Sequence, residues 1–138
     1  MNISLDLIKG YSDKRGRIAE IFTLSDLVRH NSKFGHLFLV TFDEEKALRG
    51  NHYHAKKHEY YIVIEGKIKV VLLDVKTKER KVLILKPQKD KYQKLRIGPN
   101  IAHACYNLTP KAIMIGYFSH PYHKNKDTIS YKIIKRKT

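Results

Sequence analysis

Short runs in which apolar and polar residues alternate recur along the chain, and turn-forming residues separate them. The apolar positions are rich in β-branched and aromatic side chains, which favour strands. The clearest runs are residues 36–42, 60–64, 68–75, 80–85, 94–97, 104–107 and 112–118. No long stretch keeps the 3.6-residue repeat of an amphipathic helix, and only residues 25–32, which begin with an N-cap-like serine, predict a short helical turn. Nine or ten short strands predict an all-β sandwich or barrel.

The first 24 residues predict two strands joined by a turn. Apolar residues alternate weakly over residues 1–9, residues 13–16 have turn chemistry, and residues 17–23 alternate again. An edge strand can pair with another copy of the chain, so residues 1–24 are candidates for exchange within a homodimer. The sequence shows no linker and no internal repeat, which predicts a single domain over residues 1–138.

Composition places the chain among folded domains. It has 138 residues, of which 42% are hydrophobic and 10% aromatic. No run approaches the roughly 18 apolar residues that span a bilayer, and the first residues lack the pattern of a signal peptide. Cys105 is the only cysteine, which rules out an intrachain disulfide and fits buried packing better than nucleophilic chemistry. We therefore expect a cytoplasmic protein without a membrane partner.

The charge balance is strongly basic. There are 28 lysines and arginines against 13 acidic residues, which gives a formal net charge of +15. The lysines are scattered over the chain and no DNA- or RNA-binding motif accompanies them, so a nucleic-acid partner is not expected. Two interpretations remain: a solvated, lysine-rich surface, or a field that favours an anionic ligand such as a nucleotide diphosphate.

Residues 50–66 hold the densest set of candidate ligands and bases, in the sequence GNHYHAKKHEYYIVIEG. His52 and His54 are two residues apart, so in a strand their side chains share one face. The polar residues 55–58 predict a turn or bend that brings Glu59 back towards them. His103 follows in a distant strand, and Asn107 fits a structural hydrogen bond in a turn. Together these residues predict an inward-facing cluster inside a β-barrel.

The two stretches resemble the two sequence motifs of the cupin superfamily, G-x5-H-x-H-x4-E-x6-G and P-x-G-x2-H-x3-N. The first matches from His52 onward, although its leading glycine is displaced. The second matches at His103 and Asn107 but not in its opening, because Pro99 stands four residues before His103 rather than five. The resemblance implies a cupin barrel, also called a double-stranded β-helix or jelly roll.

Other segments resemble the cupins that act on nucleotide-activated sugars. Residues 13–20 are similar to the D-x-R-G-x-(F/L)-x-E segment of dTDP-4-dehydrorhamnose 3,5-epimerases and dTDP-sugar 3,4-ketoisomerases. Residues 49–54, RGNHYH, resemble the R-G-x-H-Y-Q and R-G-x-H-A-H segments of the same enzymes. Residues 35–128 also look like the C-terminal cupin domain of capsular-polysaccharide reductases. The resemblance implies an isomerase of a nucleotide-activated 4-keto-6-deoxy sugar in surface polysaccharide biosynthesis.

The resemblance also implies roles for individual residues. Histidine suits a general base that removes a proton next to a ketone, and tyrosine can act as the acid. An arginine fork suits phosphate or oxyanion binding. The implied catalytic residues are His52 as the base, Tyr117 as a candidate acid, His54 and His103; the implied substrate-binding residues are Arg49, Arg15 across a subunit boundary, Asn51 and Tyr61. Tyr117 also fits an ordinary position in a strand core.

The same histidines permit a metal instead. His52, His54, Glu59 and His103 form a plausible ligand set for Zn, Mn, Fe or Ni, and His52 cannot be both a ligand and a free base. Two further functions stay open: a metal-dependent cupin oxygenase or small-molecule isomerase, and a non-catalytic sugar-binding cupin. The sequence does not distinguish epimerisation from movement of the ketone, and it does not identify the nucleotide.

Overall fold

The computed structural model describes residues 1–28, 35–120 and 127–135, which form eleven strands and one five-residue helix. The elements are β1 (Ile3–Asp13), β2 (Gly16–Ala19), α1 (Leu24–Val28), β3 (His36–Phe42), β4 (Leu48–His54), β5 (Glu59–Glu65), β6 (Ile68–Asp74), β7 (Arg80–Leu85), β8 (Lys91–Ile97), β9 (Ile101–Asn107), β10 (Ala112–Phe118) and β11 (Thr128–Ser130). Within these ranges no helix has the length and hydropathy needed to cross a membrane.

The strands form two antiparallel sheets. One has the order β2-β1-β8-β5-β10-β3 and the other β11-β4-β9-β6-β7. Apolar side chains from both sheets meet in one core: Phe42, Tyr61, Val63, Ile68, Val70, Leu72, Leu85, Leu95, Ile97, Ile101, Cys105, Ala112 and Met114. Two packed sheets whose neighbouring strands are distant in sequence form a jelly roll, so the predicted cupin barrel is confirmed.

Most predicted strands are present, and the differences lie at their ends. β2 stops at Ala19, short of the predicted residue 23, while β8 and β9 begin three residues earlier than predicted, at Lys91 and Ile101. The short strand β11 was not predicted, because three residues in a polar stretch carry no periodicity. The predicted helical turn is α1, and its predicted continuation over residues 29–32 lies outside the described ranges.

A buried ion pair lies on the outer face of the six-stranded sheet. Lys94 of β8 donates to both carboxylate oxygens of Asp26, at 2.9 Å each, and to the carbonyl of Ile21 at 3.2 Å. Its ammonium also lies 5.6 Å from the ring centroid of Phe22 and 5.9 Å from that of Tyr60. These contacts fasten the segment before β3 onto the sheet, away from the barrel interior.

Candidate active site

The side chains of His52, His54, Glu59 and His103 come together inside the barrel. One ligand atom of each lies within 4.8 Å of the others. The strand register explains the meeting, because β4 pairs with β9 and places His52 directly opposite His103. The ring centroids of these two histidines are 4.8 Å apart, and those of His52 and His54 are 5.0 Å apart.

Glu59 reaches the cluster through a bend between β4 and β5, as the polar residues 55–58 predicted. The Asp127 carboxylate holds the bend by accepting hydrogen bonds from three consecutive backbone N–H groups, those of Ala55, Lys56 and Lys57, at 3.0–3.1 Å. A carboxylate on successive N–H groups is a strong local clamp. The bend therefore has a fixed shape, and Glu59 starts β5 on the interior face.

The Glu59 carboxylate is the electrostatic centre of the cluster. It is 1% exposed, pairs with His54, lies 3.2 Å from His103 Nε2 and accepts a hydrogen bond from the Tyr61 hydroxyl. Burial alone would raise the pKa of Glu59, but His103 and His54 hold that pKa well below its usual range. Burial likewise opposes a charged His103, yet Glu59 raises the pKa of His103 above its ordinary value.

Three buried atoms of this cluster are without a hydrogen-bond partner within the described ranges: His54 Nε2, Glu59 Oε1 and His103 Nε2. They are close enough for ion pairing but are not aligned for hydrogen bonds. The other ring nitrogens are occupied, since His103 Nδ1 lies 3.0 Å from the Ile101 carbonyl and His54 Nδ1 lies 3.3 Å from Thr128 Oγ1. Second partners of this kind orient histidines towards a metal, so these residues fit a divalent ion.

His52 differs from the other members of the cluster because it is only partly buried. Burial and the neighbouring His103 lower the pKa of His52 to about 4. The imidazole is therefore neutral at pH 7, and one ring nitrogen can accept a proton or bind a metal ion. His52 is thus the member of the cluster best placed to meet a ligand that enters from solvent.

Tyr117 does not join the cluster. In the register of β10 and β5, Phe118 lies opposite Glu59 and Tyr117 opposite Tyr60, so Tyr117 takes the outer face. Its ring centroid is 5.2 Å from that of Phe22, and its hydroxyl accepts a hydrogen bond from the Gly35 N–H at 3.2 Å. Tyr117 therefore packs on Phe22 and lies outside the cluster.

A bulge in β4 places the exposed residue Arg49 on the same side of the strand as His52. The register shifts between Gly50 and His52, where Asn51 adopts a φ of 60°, and Arg49 consequently lies opposite the core residue Cys105. Without the extra residue, Arg49 and His52 would take opposite faces. The Arg49 guanidinium donates to the Thr41 carbonyl at 3.1 Å and borders a cavity of about 960 Å³.

The remaining predicted binding residues have other surroundings. The Asn51 side chain binds the backbone of Ile133 and Ile134 through three hydrogen bonds of 3.0–3.1 Å, which anchors the C-terminal segment. Tyr61 is buried beneath the cluster on Glu59. Arg15 is 88% exposed at the tip of the β1–β2 hairpin, paired with Asp13 and remote from the cluster of its own chain.

Lys57 was not among the predicted site residues, yet only 6% of it is exposed to solvent. Its ammonium lies 5.1 Å from the ring centroid of Phe118, whose ring centroid is 5.6 Å from that of His54. In the sequence, Lys56 and Lys57 cannot be told apart, because both are lysines in the same polar run. Only the bend held by Asp127 turns one towards the site and leaves the other in solvent.

A curled pair of antiparallel sheets with three histidines and a glutamate in its interior defines a cupin. The model of the polysaccharide biosynthesis C-terminal domain family matches residues 11–131, so the chain belongs to that family. No curated protein sequence matches the chain.

Several solved structures share the fold. QdtA, a sugar 3,4-ketoisomerase from Thermoanaerobacterium thermosaccharolyticum in complex with TDP, is 24% identical, with a TM-score of 0.76 over 93% of this chain and 87% of QdtA. A 3,4-ketoisomerase from Helicobacter canadensis is 21% identical, with a TM-score of 0.78 over 94% and 90% of the two chains. ChmJ, a 3'-monoepimerase from Streptomyces bikiniensis in complex with dTDP-quinovose, is 19% identical, with a TM-score of 0.78 over 93% and 68%. The predicted resemblance to cupin-fold enzymes of nucleotide-activated sugars is confirmed at the level of the fold.

Proposed function

We propose that this protein is an isomerase of a nucleotide-activated 4-keto-6-deoxy sugar in surface polysaccharide biosynthesis. The observation that carries the proposal is His52, a neutral imidazole on the open side of a buried cluster in a cupin barrel. The structural neighbours support it, because they are ketoisomerases and epimerases of such sugars. A histidine-to-asparagine mutant of QdtA was crystallised with TDP-4-keto-6-deoxyglucose.

The chemistry requires a base and a proton donor, and it involves no net change in redox state. His52 removes the proton from a carbon next to the C4 ketone, and the electron pair of that C–H bond forms a C=C bond as the ketone oxygen becomes an enolate. Return of a proton to the same carbon from the other face is epimerisation. If the carbon is C3, the hydroxyl proton on O3 moves to O4 and a proton is added at C4, which leaves the ketone at C3.

The low pKa of His52 suits this role only when the substrate is bound. A pKa of about 4 keeps the free imidazole unprotonated but makes it a weak base. A nucleotide diphosphate brings negative charge next to the site, and negative charge raises the pKa of a nearby histidine. Binding of substrate would therefore strengthen the base at the moment it is needed.

We further propose that the diphosphate is bound by arginines and that the chain, as one cupin domain, forms a homodimer. Arg49 is an exposed cation on the same side of β4 as His52, and it borders a cavity whose lining does not include the four cluster residues. The pairing of β1 with β8 ends at Lys9, and the β1–β2 hairpin continues beyond that point. Arg15, at the tip of the hairpin, would therefore contact the substrate of a neighbouring subunit. Light scattering will give the oligomeric state, and an Arg15→Ala variant with a raised KM but unchanged kcat would support contact with a neighbour's substrate.

The test of the function is incubation with dTDP-4-keto-6-deoxyglucose in D₂O, followed by NMR. Deuterium at the former ketone carbon with the ketone at C3 identifies a 3,4-ketoisomerase. Deuterium at C3 or C5 with the ketone still at C4 identifies an epimerase. Absence of exchange with dTDP-, UDP- and GDP-linked 4-keto sugars would contradict the proposal.

The three buried atoms without a hydrogen bond favour a second candidate function, in which the cluster holds a divalent metal. His54, Glu59 and His103 would be its ligands, with His52 as a possible fourth, and a metal there would polarise the ketone oxygen of a bound sugar. His52 would then be a ligand rather than the base. The metal content of protein purified without added metal, compared with that of His54→Ala, tests this candidate. The neighbours lend no support to an oxygenase or to a non-catalytic sugar-binding protein.

A further inference from the structure

Lys57 is buried without a charged partner in the described part of the chain. Its side chain is 6% exposed, and none of the described ion pairs or hydrogen bonds involves its ammonium. A buried lysine is rarely left without a charged partner, because moving its charge out of water costs roughly several kcal/mol unless another interaction compensates. The Phe118 ring, 5.1 Å away, offsets only part of that cost.

The backbone that carries Lys57 is rigidly held. Its own N–H and those of the two preceding residues bind the Asp127 carboxylate, while the N–H of His58 binds Ser119 Oγ at 2.9 Å. The position of the ammonium is therefore set by the fold. A preorganised charge of this kind needs no rearrangement when it meets a ligand.

The Lys57 ammonium lies close to the histidine cluster, with one aromatic ring between them. Phe118 connects Lys57 to His54, and His54 is 5.0 Å from His52 between ring centroids. Phe118 contacts both the Lys57 ammonium and the His54 ring, so the Lys57 charge lies one aromatic ring away from the cluster. The candidate base and a buried cation thus lie near one another, linked through Phe118 and His54.

We propose that Lys57 is a catalytic residue whose ammonium stabilises the enolate oxygen of the sugar. The inference rests on the proposed function and adds the group that the reaction needs besides a base. When His52 takes the proton, the electron pair of the broken C–H bond moves into the C=C bond and negative charge accumulates on the former ketone oxygen. Lys57 Nζ donates a hydrogen bond to that oxygen and keeps its own proton, so no further reactant is required.

The experiment compares Lys57→Met, Lys57→Arg and the control Lys56→Met in the D₂O assay. We expect Lys57→Met to lower kcat by roughly 10²–10³-fold, the loss typical of one oxyanion donor, and deuterium exchange to fall in proportion. KM and the Kd of dTDP, measured by calorimetry, should change less than about threefold, because ground-state binding does not use this contact. Lys57→Arg should recover part of kcat, and Lys56→Met, exposed in the same bend, should match the wild type.

If the wild type is active, two results would overturn the proposed role of Lys57 and leave the proposed function of the protein intact. A weaker Kd for dTDP with kcat retained would make Lys57 a diphosphate contact, and unchanged kinetics would make it a solvated lysine resting on Phe118. If Lys57→Met does not fold, full activity of Lys57→Gln with an unchanged Tm would likewise overturn the proposal. A wild type that exchanges no deuterium would overturn the proposed function, and the enolate role of Lys57 with it.

Discussion

Two clusters of buried charge lie on opposite faces of the same sheet, and they are built differently. On the outer face, the Lys94 ammonium donates two hydrogen bonds to the Asp26 carboxylate and one to the Ile21 carbonyl. On the inner face, Glu59 lies between His54 and His103, and three of their atoms have no hydrogen-bond partner in the described ranges. Both clusters are almost completely buried.

The difference separates a structural ion pair from a reactive one. A buried charge that serves only the fold is stable when every donor and acceptor is satisfied. A cluster that must bind a ligand keeps atoms available, and the fold has to stabilise it by other means. Here those means are the clamp of Asp127 on the bend and the hydrogen bond from Tyr61 to Glu59. The inner cluster should therefore control activity, and the outer pair should control stability.

The largest expected effect is on turnover, in His52→Asn. Loss of the base should lower kcat by about 10³-fold or more, in the range found when a general base is removed from an enzyme. Because the His52 side chain is partly exposed and makes no hydrogen bond within the described ranges, the Tm should change little. NMR of product formation and thermal unfolding by circular dichroism measure the two quantities.

The control for His52→Asn is His58→Asn. His58 lies in the neighbouring bend but contacts Arg96 on the outer side of the sheet, where His58 Nδ1 is 3.2 Å from Arg96 Nη1. Its turnover should stay within about threefold of the wild type. A His52→Asn variant that retains full turnover would disprove the base role.

The next effect is on stability, in Lys94→Met. This change leaves the Asp26 carboxylate buried without its partner and should cost roughly 3–5 kcal/mol of unfolding free energy, measured in urea. The double variant Lys94→Met/Asp26→Asn should be more stable than the sum of the single changes predicts, since the two groups interact directly. Specific activity of the folded fraction should be retained. Additive losses would show that the ion pair is not the stabilising unit.

A smaller effect on stability is expected from an added divalent metal, which should bind the inner cluster and not the outer ion pair. Zn²⁺ or Mn²⁺ added to chelator-treated protein should stabilise it by about 2.7 kcal/mol at a hundred times the Kd. Glu59→Gln should abolish this gain, whereas Glu65→Gln, exposed on the same strand, should preserve it. Equal stabilisation of all three proteins would place the ion outside the cluster. If the metal also eliminates turnover, His52 acts as a ligand in that state.

The sequence predicted the barrel and the meeting of His52, His54, Glu59 and His103, because alternation in strands fixes which residues share a face. It could not predict features that depend on distant contacts. The burial of Lys57 depends on Asp127, seventy residues away, and the placement of Arg49 on the same side of β4 as His52 depends on the bulge at Asn51. Neither contact leaves a local pattern in the apolar and polar positions.

The orientation of β10 shows the same limit within a single strand. Tyr117 and Phe118 are both aromatic, so alternation assigns them to opposite faces without indicating which face is inside. The pairing of Phe118 with Glu59 decides it, and that pairing is long-range. Tyr117, the predicted acid, consequently lies on the side of the sheet that carries the ion pair of Lys94 and Asp26.

The smallest expected effect follows from this placement, in Tyr117→Phe. The change removes the hydroxyl that accepts the Gly35 N–H and should cost about 1 kcal/mol of unfolding free energy. Turnover should change less than about threefold, because the outer face of β10 does not reach the substrate. A loss of about 10²-fold or more, the usual contribution of a general acid, would restore Tyr117 as the proton donor. Such a loss without a change in Tm would also mean that the two faces of the sheet are not functionally separate, since a residue packed on Phe22 would then control chemistry at His52.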